Sequence, residues 1–200
     1  MARTAGSNGP KTMEAIRSNG LRLIYERGFE AMSLRQLAAE VGIQPGSLYN
    51  HISTKQDLLF DLVRGHMEEL LLHLDAALQE TAPAPSKLRS FIHFHLNYHI
   101  KKTKEVFICY SELRSLDPEH YAVIVALRKR YERRLAEILD QGVAEGNFAI
   151  QDTKVAAFGI LAMLTGVCTW FRTDGRLTTE QLIEIYDDIV LKGVLGKPAA

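Results

Sequence analysis

Six residues between positions 46 and 55 combine small side chains with hydrogen-bonding ones: Gly46, Ser47, Tyr49, Asn50, His51 and Lys55. The two small residues would let a backbone approach DNA closely. The aromatic, amide and imidazole side chains are long enough to reach phosphate oxygens, and the lysine offers another phosphate a cation. The segment therefore predicts a nucleic-acid surface.

Two short predicted helices position this segment. Ser33 with Gln36 three residues later is the pattern of a capping box that opens a helix, and Gly42 predicts its end. Pro45 restarts a helix where its missing N–H costs nothing. Residues 33–52 therefore predict a helix-turn-helix, whose second helix is narrow enough to enter the major groove. Spacing alone leaves open that these are two packed helices without a role on DNA.

A denser pattern around this motif resembles the tetracycline-repressor (TetR) family of transcriptional regulators. The matching residues are Gly28-Phe29, Ser33, Leu37-Ala38, Val41-Gly42, Gly46 to His51, Thr54-Lys55 and Leu58-Leu59. The resemblance implies an all-α fold of about nine helices. A tail (1–10) would precede a three-helix, helix-turn-helix DNA-binding domain (11–58), and a helical effector-binding and dimerisation domain (59–200) would follow.

The family pattern also implies roles for individual residues. Ser47 and Tyr49 are expected to contact DNA, and His51 and Lys55 its backbone. Backbone or groove contacts are expected from two residues near the start of the preceding helix, Arg35 and Gln36.

Two positions depart from the family pattern. Gln44-Pro45 stands where the family often has a hydroxyl or small residue, and the Gln44 amide could instead read an adenine edge. Ile52 replaces the usual aromatic residue, a conservative change in the core.

Thr54 with Asp57 predicts the cap of a helix that reaches about Glu80. The rest of the chain also favours helices. These are expected near 86–102, 105–115, 118–145, 152–172 and 179–195. The helix at 152–172 has no charged residue from Val155 to Phe171 and many small ones, which favours burial on both sides over a membrane span. With the last helix it predicts a homodimer face, which the family resemblance also implies: Phe158, Ala162, Leu182, Ile185, Tyr186, Ile189 and Val190.

Aromatic, histidine and arginine side chains in the body could line an effector pocket, although such residues also fill ordinary cores. The candidates are Phe91, His95, Tyr98, His99, Phe107, Tyr110, Arg114, Met163, Trp170 and Arg172. His95 and His99 share a helix face and could bind a metal, but no third ligand is evident, so we expect no metal. Cys109 could sense redox state, although nothing nearby would lower its pKa.

Composition narrows the function classes. Net charge is zero, yet residues 1–55 carry seven Lys or Arg against four Asp or Glu, which suits a small DNA-reading head on an acidic body. The sequence has no phosphate-cradling glycine loop and no nucleophile elbow, which argues against an enzyme. Two cysteines and the absence of a signal-like start predict a cytoplasmic protein without a membrane partner.

The function predicted from these features is a dimeric, ligand-responsive regulator, most simply a repressor of a pseudo-palindromic operator on double-stranded DNA. Two stretches, Glu112–His120 and Gly166–Leu177, resemble the branch of the family that responds to acyl-CoA thioesters, which predicts a small hydrophobic or acyl-CoA effector and no other cofactor. A helical ligand-binding or scaffold protein without DNA binding, and a redox- or metal-sensing regulator, remain alternatives.

Overall fold

The computed structural model describes residues 9–194 of the 200-residue chain. Within that range it contains nine α-helices, one 3-10 helix and no strand, which confirms the predicted all-α class. The α-helices are α1 Gly9–Arg27, α2 Leu34–Val41, α3 Pro45–Leu48, α4 Lys55–Ala77, α5 Ala84–Lys101, α6 Thr103–Ser111, α7 Pro118–Ala144, α8 Thr153–Trp170 and α9 Thr179–Val194, and the 3-10 helix is Leu113–Ser115.

Several expected boundaries differ from the observed ones, including the end of α4, which lies at Ala77 rather than near Glu80. Residues 1–8 of the predicted tail lie outside the described residues, but Gly9 and Pro10 already belong to α1. Helix α5 begins at Ala84 because Pro85 lies in its first turn, where no N–H is needed. The predicted helix at 105–115 is α6 followed by the 3-10 helix, since Glu112 leaves the helical conformation between them (φ −102°, ψ 6°).

Helices α2 and α4 begin at the caps that their residue types predict. The Ser33 hydroxyl accepts from the Gln36 N–H at 3.2 Å, and the Gln36 side chain accepts from the Ser33 N–H at 3.1 Å. Thr54 and Asp57 make the same reciprocal pair at 2.9 and 3.0 Å. Each pair satisfies backbone donors that a helix start leaves without partners.

The described residues form two compact units. The N-terminal unit comprises the residues up to His66 together with Lys104–Ile124, and the C-terminal unit comprises Met67–Thr103 and Val125 onward. The N-terminal core is made of side chains from α1 to α4 that are at most 5% exposed: Ile16, Leu23, Ile24, Phe29, Met32, Leu37, Ala38, Leu48, Ile52, Leu58 and Leu59.

Helix α5 is the centre of the C-terminal unit, and both α8 and α9 pack against it. Its buried face includes Leu88, Phe91 and Ile92. Helix α9 also begins with a capping box, in which Thr178 and Gln181 bond reciprocally at 3.0 and 3.2 Å.

One helix in the described part of the chain, α8, has the length and mean hydropathy of a membrane span (18 residues, 1.4). Length and mean hydropathy do not distinguish a membrane span from an apolar helix that another protein surface covers. The exposed side chains of α8 therefore bear on this distinction.

Candidate nucleic-acid interface and effector domain

The turn between α2 and α3 is set by Gly42. Its φ of +77° lies in the left-handed region, which residues with a Cβ adopt at a cost. The Gly42 N–H donates to the carbonyls of Ala38 and Ala39, and the Ile43 N–H donates to Ala38 O at 3.0 Å. These bonds end α2 and turn the chain within three residues into α3.

Helix α3 is held by one side chain and exposes its other side chains. Leu48 is fully buried, whereas Tyr49 is 57% exposed. The remaining predicted contacts on or beside α3 are also exposed: Gln44, Pro45, Gly46, Ser47 and Asn50. Gln44 makes no side-chain hydrogen bond at the α3 cap, so its amide stays available. A single buried anchor thus presents a continuous polar edge to solvent.

The four other predicted DNA contacts flank that edge. Arg35 and Gln36 are exposed on α2, although the Gln36 oxygen is committed to the helix cap. His51 is half-buried.

The Lys55 side chain contacts other residues of the N-terminal unit. Its Nζ donates to the Glu30 carbonyl at 3.2 Å and lies 4.2 Å from the centre of the Phe29 ring. An ammonium group has three hydrogens, so this arrangement leaves donors for a phosphate and fixes where they are.

Contacts between α1 and α4 brace the helices of this region. The Arg17 guanidinium donates to both oxygens of Asp61 at 2.6 and 2.8 Å, and that hydrogen bond raises the pKa of Arg17. Gly20 lets α1 approach Leu58, since a Cβ there would lie 3.0 Å from the Leu58 side chain.

Two further polar residues of the N-terminal unit were missed by sequence reasoning. Glu112 accepts from the Phe29 N–H at 3.3 Å, and Gln56 donates to the Ser115 carbonyl at 2.6 Å. Their partners are 83 and 59 residues away along the chain, so no local pattern could indicate them.

The C-terminal unit contains a buried polar cluster centred on His95. One ring nitrogen of His95 is 3.0 Å from the Tyr131 hydroxyl and the other is 3.2 Å from the Thr165 hydroxyl. The His99 ring stacks on His95 with centroids 3.6 Å apart. Burial lowers the pKa of His95 well below 6.5, and the neighbouring His99 lowers it further. Both ring nitrogens of His95 thus lie within hydrogen-bond distance of a hydroxyl. No group of three or more His, Cys, Asp or Glu residues suited to a metal occurs between residues 9 and 194.

The predicted pocket residues are divided between the two units. Phe91, His95, Tyr98 and His99 are buried, whereas Trp170 and Arg172 are exposed and Met163 is intermediate. Phe107, Tyr110 and Arg114 belong to the N-terminal unit, where the Phe107 ring meets Tyr25 edge-on at 5.1 Å.

A cavity of about 250 Å³ opens beside the end of α8. It is lined by Ile100, Thr103, Val167, Cys168 and Phe171 to Asp174, so Arg172 is the predicted pocket residue that it includes. Burial raises the pKa of the Cys168 thiol to about 11, so the thiol is protonated at neutral pH and is a weak nucleophile.

Helices α8 and α9 expose large apolar side chains to solvent. Phe158 is 56% exposed, Ile189 51% and Val155 64%. Val155 is not among the residues predicted for the dimer face. Ile185 and Ala162 are also exposed, and Tyr186 is half-buried. Leu182 and Val190 are buried in the C-terminal unit, so the exposed strip of α8 and α9 consists of Val155, Phe158, Ala162, Ile185 and Ile189.

Comparison with known protein families matches both parts of the chain. Residues 16–62 match the model of bacterial regulatory proteins of the tetR family, and residues 81–194 match that of the tetracyclin repressor-like C-terminal domain.

Individual proteins match over nearly the whole chain. The transcriptional repressor KstR2 of Mycobacterium tuberculosis is 26% identical over 97% of this chain and 98% of its own. A tetR-family regulatory protein from Rhodococcus RHA1 superposes with a TM-score of 0.87 at 27% identity, covering 92% of this chain and 97% of that one. AibR, crystallised with isovaleryl coenzyme A and operator DNA, superposes with a TM-score of 0.81 at 30% identity, covering 92% and 98%.

The helix-turn-helix geometry, the all-helical C-terminal unit and these matches agree, and they confirm the resemblance seen in the sequence. The chain belongs to the TetR family of bacterial transcriptional regulators.

Proposed function

We propose that this regulator is a homodimeric repressor whose two α3 helices enter the major groove of a pseudo-palindromic operator. The observation that carries the proposal is the exposed polar edge of α3, held by the fully buried Leu48 and turned into place by Gly42. The proposed contact residues are Arg35, Gln36, Gln44, Pro45, Gly46, Ser47, Tyr49, Asn50, His51 and Lys55.

These residues divide into base-reading and backbone contacts. Gln44 precedes α3 with an uncommitted amide, the group that pairs with an adenine edge. The exposed Tyr49 hydroxyl and the remaining Lys55 hydrogens suit phosphate oxygens.

The exposed strip of α8 and α9 is proposed as the face that a second copy of the chain covers. Exposed Val155, Phe158 and Ile189 would leave a large apolar area in water, which soluble monomers rarely do. A second subunit would also account for the apolar composition of α8 without a membrane, in keeping with a cytoplasmic regulator that meets the chromosome.

The proposed effector is an acyl-CoA thioester. Support comes from AibR, whose complex contains isovaleryl coenzyme A together with operator DNA. In this chain the cavity beside α8 is lined by the guanidinium of Arg172 and by the hydroxyl residues Thr103 and Thr173, donors that suit a phosphate of coenzyme A, together with the carboxylate of Asp174. A hundredfold loss of operator affinity needs a coupling free energy of only about 2.7 kcal/mol.

A binding titration with DNA that flanks the regulator's own coding sequence tests the proposal. We expect tight binding at low salt, a steep loss of affinity as salt rises, and release by isovaleryl-CoA but not by free coenzyme A. Failure to bind any such fragment at low ionic strength would contradict the DNA-binding half. Binding that no acyl-CoA weakens would contradict the effector half.

The variant Tyr49→Phe tests the contact surface. Loss of the hydroxyl should weaken operator binding about tenfold and leave the melting temperature unchanged, because the side chain is largely exposed and its ring is kept. Tyr121→Phe is the matched control, since Tyr121 is also a largely exposed tyrosine but lies on α7. Equal affinities of the two variants would remove Tyr49 from the interface.

A further inference from the structure

Residues 112–117, here termed the strap, join α6 to α7 within the N-terminal unit. The strap includes the 3-10 helix Leu113–Ser115. The match to the C-terminal family model, which begins at residue 81, includes the strap. In the structure, however, the strap belongs to the same compact unit as the DNA-binding helices. Its polar contacts are to the α1–α2 turn and to the first turn of α4.

The first contact is to the turn between α1 and α2. One oxygen of the Glu112 carboxylate accepts from the Phe29 N–H at 3.3 Å, and the other accepts from the Ser115 hydroxyl at 2.9 Å. The second bond orients the carboxylate for the first. Phe29 is the residue whose ring lies under the Lys55 ammonium, and its neighbour Glu30 supplies the carbonyl that Lys55 binds.

The second contact is to the first turn of α4. The Gln56 side-chain nitrogen donates to Ser115 O at 2.6 Å, and its oxygen accepts from the Asp117 N–H at 3.3 Å. One amide group therefore satisfies two backbone groups of the strap. Gln56 follows Lys55 directly, so the strap holds the backbone on both sides of the Lys55 contact.

Ring contacts stiffen the same arrangement. Phe60, one turn after Gln56, stacks on His120 with centroids 4.0 Å apart and planes within 9°. Asp117 caps α7 by accepting from the His120 N–H at 2.9 Å. The strap is thus a fixed support.

We infer that Glu112 and Gln56 are positioning residues for DNA binding, which act through Lys55 by fixing the α1–α2 turn and the first turn of α4. This inference rests on the proposed function, because it takes Lys55 to be a phosphate contact. Neither residue needs to touch DNA. Their effect is to keep the Lys55 ammonium where a phosphate can meet it.

A double-mutant cycle on operator binding by the full-length protein tests the inference. Lys55→Ala should weaken binding and lower the salt slope by about 0.9, the value for one phosphate contact. Glu112→Leu and Gln56→Leu should each weaken binding about tenfold in the wild-type background, and by less than half as much on a logarithmic scale in the Lys55→Ala background. Fully additive effects would overturn the inference.

Three further variants separate positioning from general damage. Glu112→Gln keeps an acceptor for the Phe29 N–H and should bind operator like wild type. Glu119→Gln removes an exposed carboxylate of α7 and should also be neutral. Ser115→Ala removes only the hydroxyl that orients Glu112, so it decides the question if the leucine variants fail to fold. We expect a loss of about threefold that disappears in the Lys55→Ala background, and wild-type affinity would overturn the inference.

The two proposals fail in different ways. If wild-type protein does not bind the operator fragment, the proposed function is wrong and the inference falls with it. If wild type binds and the strap variants bind equally well, the inference alone is wrong.

Discussion

His95 lies inside the C-terminal unit with a hydroxyl at each ring nitrogen, Tyr131 on one side and Thr165 on the other. A histidine held neutral in this way makes stability depend on pH. The unfolded chain takes up a proton near the ordinary pKa of 6.5, whereas the folded protein resists protonation because the site is buried and His99 is adjacent. The stabilising contribution is therefore fully present above about pH 6.5 and is lost as pH falls toward the lowered pKa of the folded state.

We predict that the free energy of unfolding declines below pH 6.5 more steeply in wild type than in His95→Gln. A single group contributes a slope of up to about 1.4 kcal/mol per pH unit, and the glutamine variant loses that slope. At pH 8 the variant should be less stable by about 1–3 kcal/mol, because the smaller amide does not reproduce both contacts that the ring makes with the two hydroxyls. Urea unfolding at fixed protein concentration, from pH 8 to 5.5, measures both effects.

The half-exposed His73 provides the control for this experiment. His73→Gln makes the same substitution at a ring that is not enclosed, so it controls for the loss of an imidazole outside the buried cluster. Parallel profiles for wild type and His95→Gln would show that another group causes the acid sensitivity.

At the scale of the element, the α2–α3 turn contains two glycines with different roles. Gly42 adopts φ +77°, so an alanine there is strained, whatever space surrounds it. Gly46 has no positive φ, and nothing lies within 4 Å of where its Cβ would be. The first glycine therefore serves the fold, and the second is available for close approach to DNA.

We predict opposite outcomes for the two alanine variants. Gly42→Ala should lower stability by about 1 kcal/mol or more and should weaken DNA binding only through that loss. Gly46→Ala should keep or slightly raise stability, by up to about 1 kcal/mol, because alanine favours a helix. It should nevertheless weaken operator binding about tenfold, because its methyl group would meet the duplex. Thermal melts and operator titrations on both proteins measure the two effects, and unaltered binding by Gly46→Ala would place the duplex farther from α3.

Features that depend on neighbouring residues were predictable from the sequence. The caps at Ser33 and Thr54 are such cases, because the groups that satisfy each other are three residues apart. Predicted helix boundaries were wrong where a residue distant in the sequence supplies the partner. Glu112 interrupts the helix predicted for 105–115, and its carboxylate binds Phe29, 83 residues earlier.

The same distinction explains the candidate sites. Exposure along α3 follows from its short motif, and each predicted residue there is at least partly exposed. Periodicity indicates which residues of α9 are apolar but not which of them the chain itself covers. The apolar spacing therefore assigns Leu182, Val190 and Ile189 to one predicted dimer face, although only Ile189 of the three is exposed.

For the molecule as a whole, the pattern of charge and exposed apolar area favours two cooperating copies. The basic excess is confined to the first 55 residues, and a single four-residue α3 offers few base contacts. Specific regulators of this kind gain affinity by placing two helices one DNA turn apart, about 34–36 Å or a multiple of it. The exposed strip on α8 and α9 is an apolar surface available to hold two copies together.

We predict that Phe158→Glu yields a monomer that still folds. A carboxylate in the centre of an apolar interface would have to lose its water without gaining a partner, whereas in the monomer it remains hydrated. Because the second head would no longer bind as part of the same molecule, operator affinity should fall by about a hundredfold or more. Val143→Glu is the control, since it adds the same charge at an exposed valine of α7 that is not one of the strip residues. Sedimentation velocity at micromolar concentration, with an operator titration of each variant, makes the comparison. A Phe158→Glu protein that remains dimeric would show that the copies associate through another surface, and a monomer with wild-type operator affinity would show that one head is sufficient.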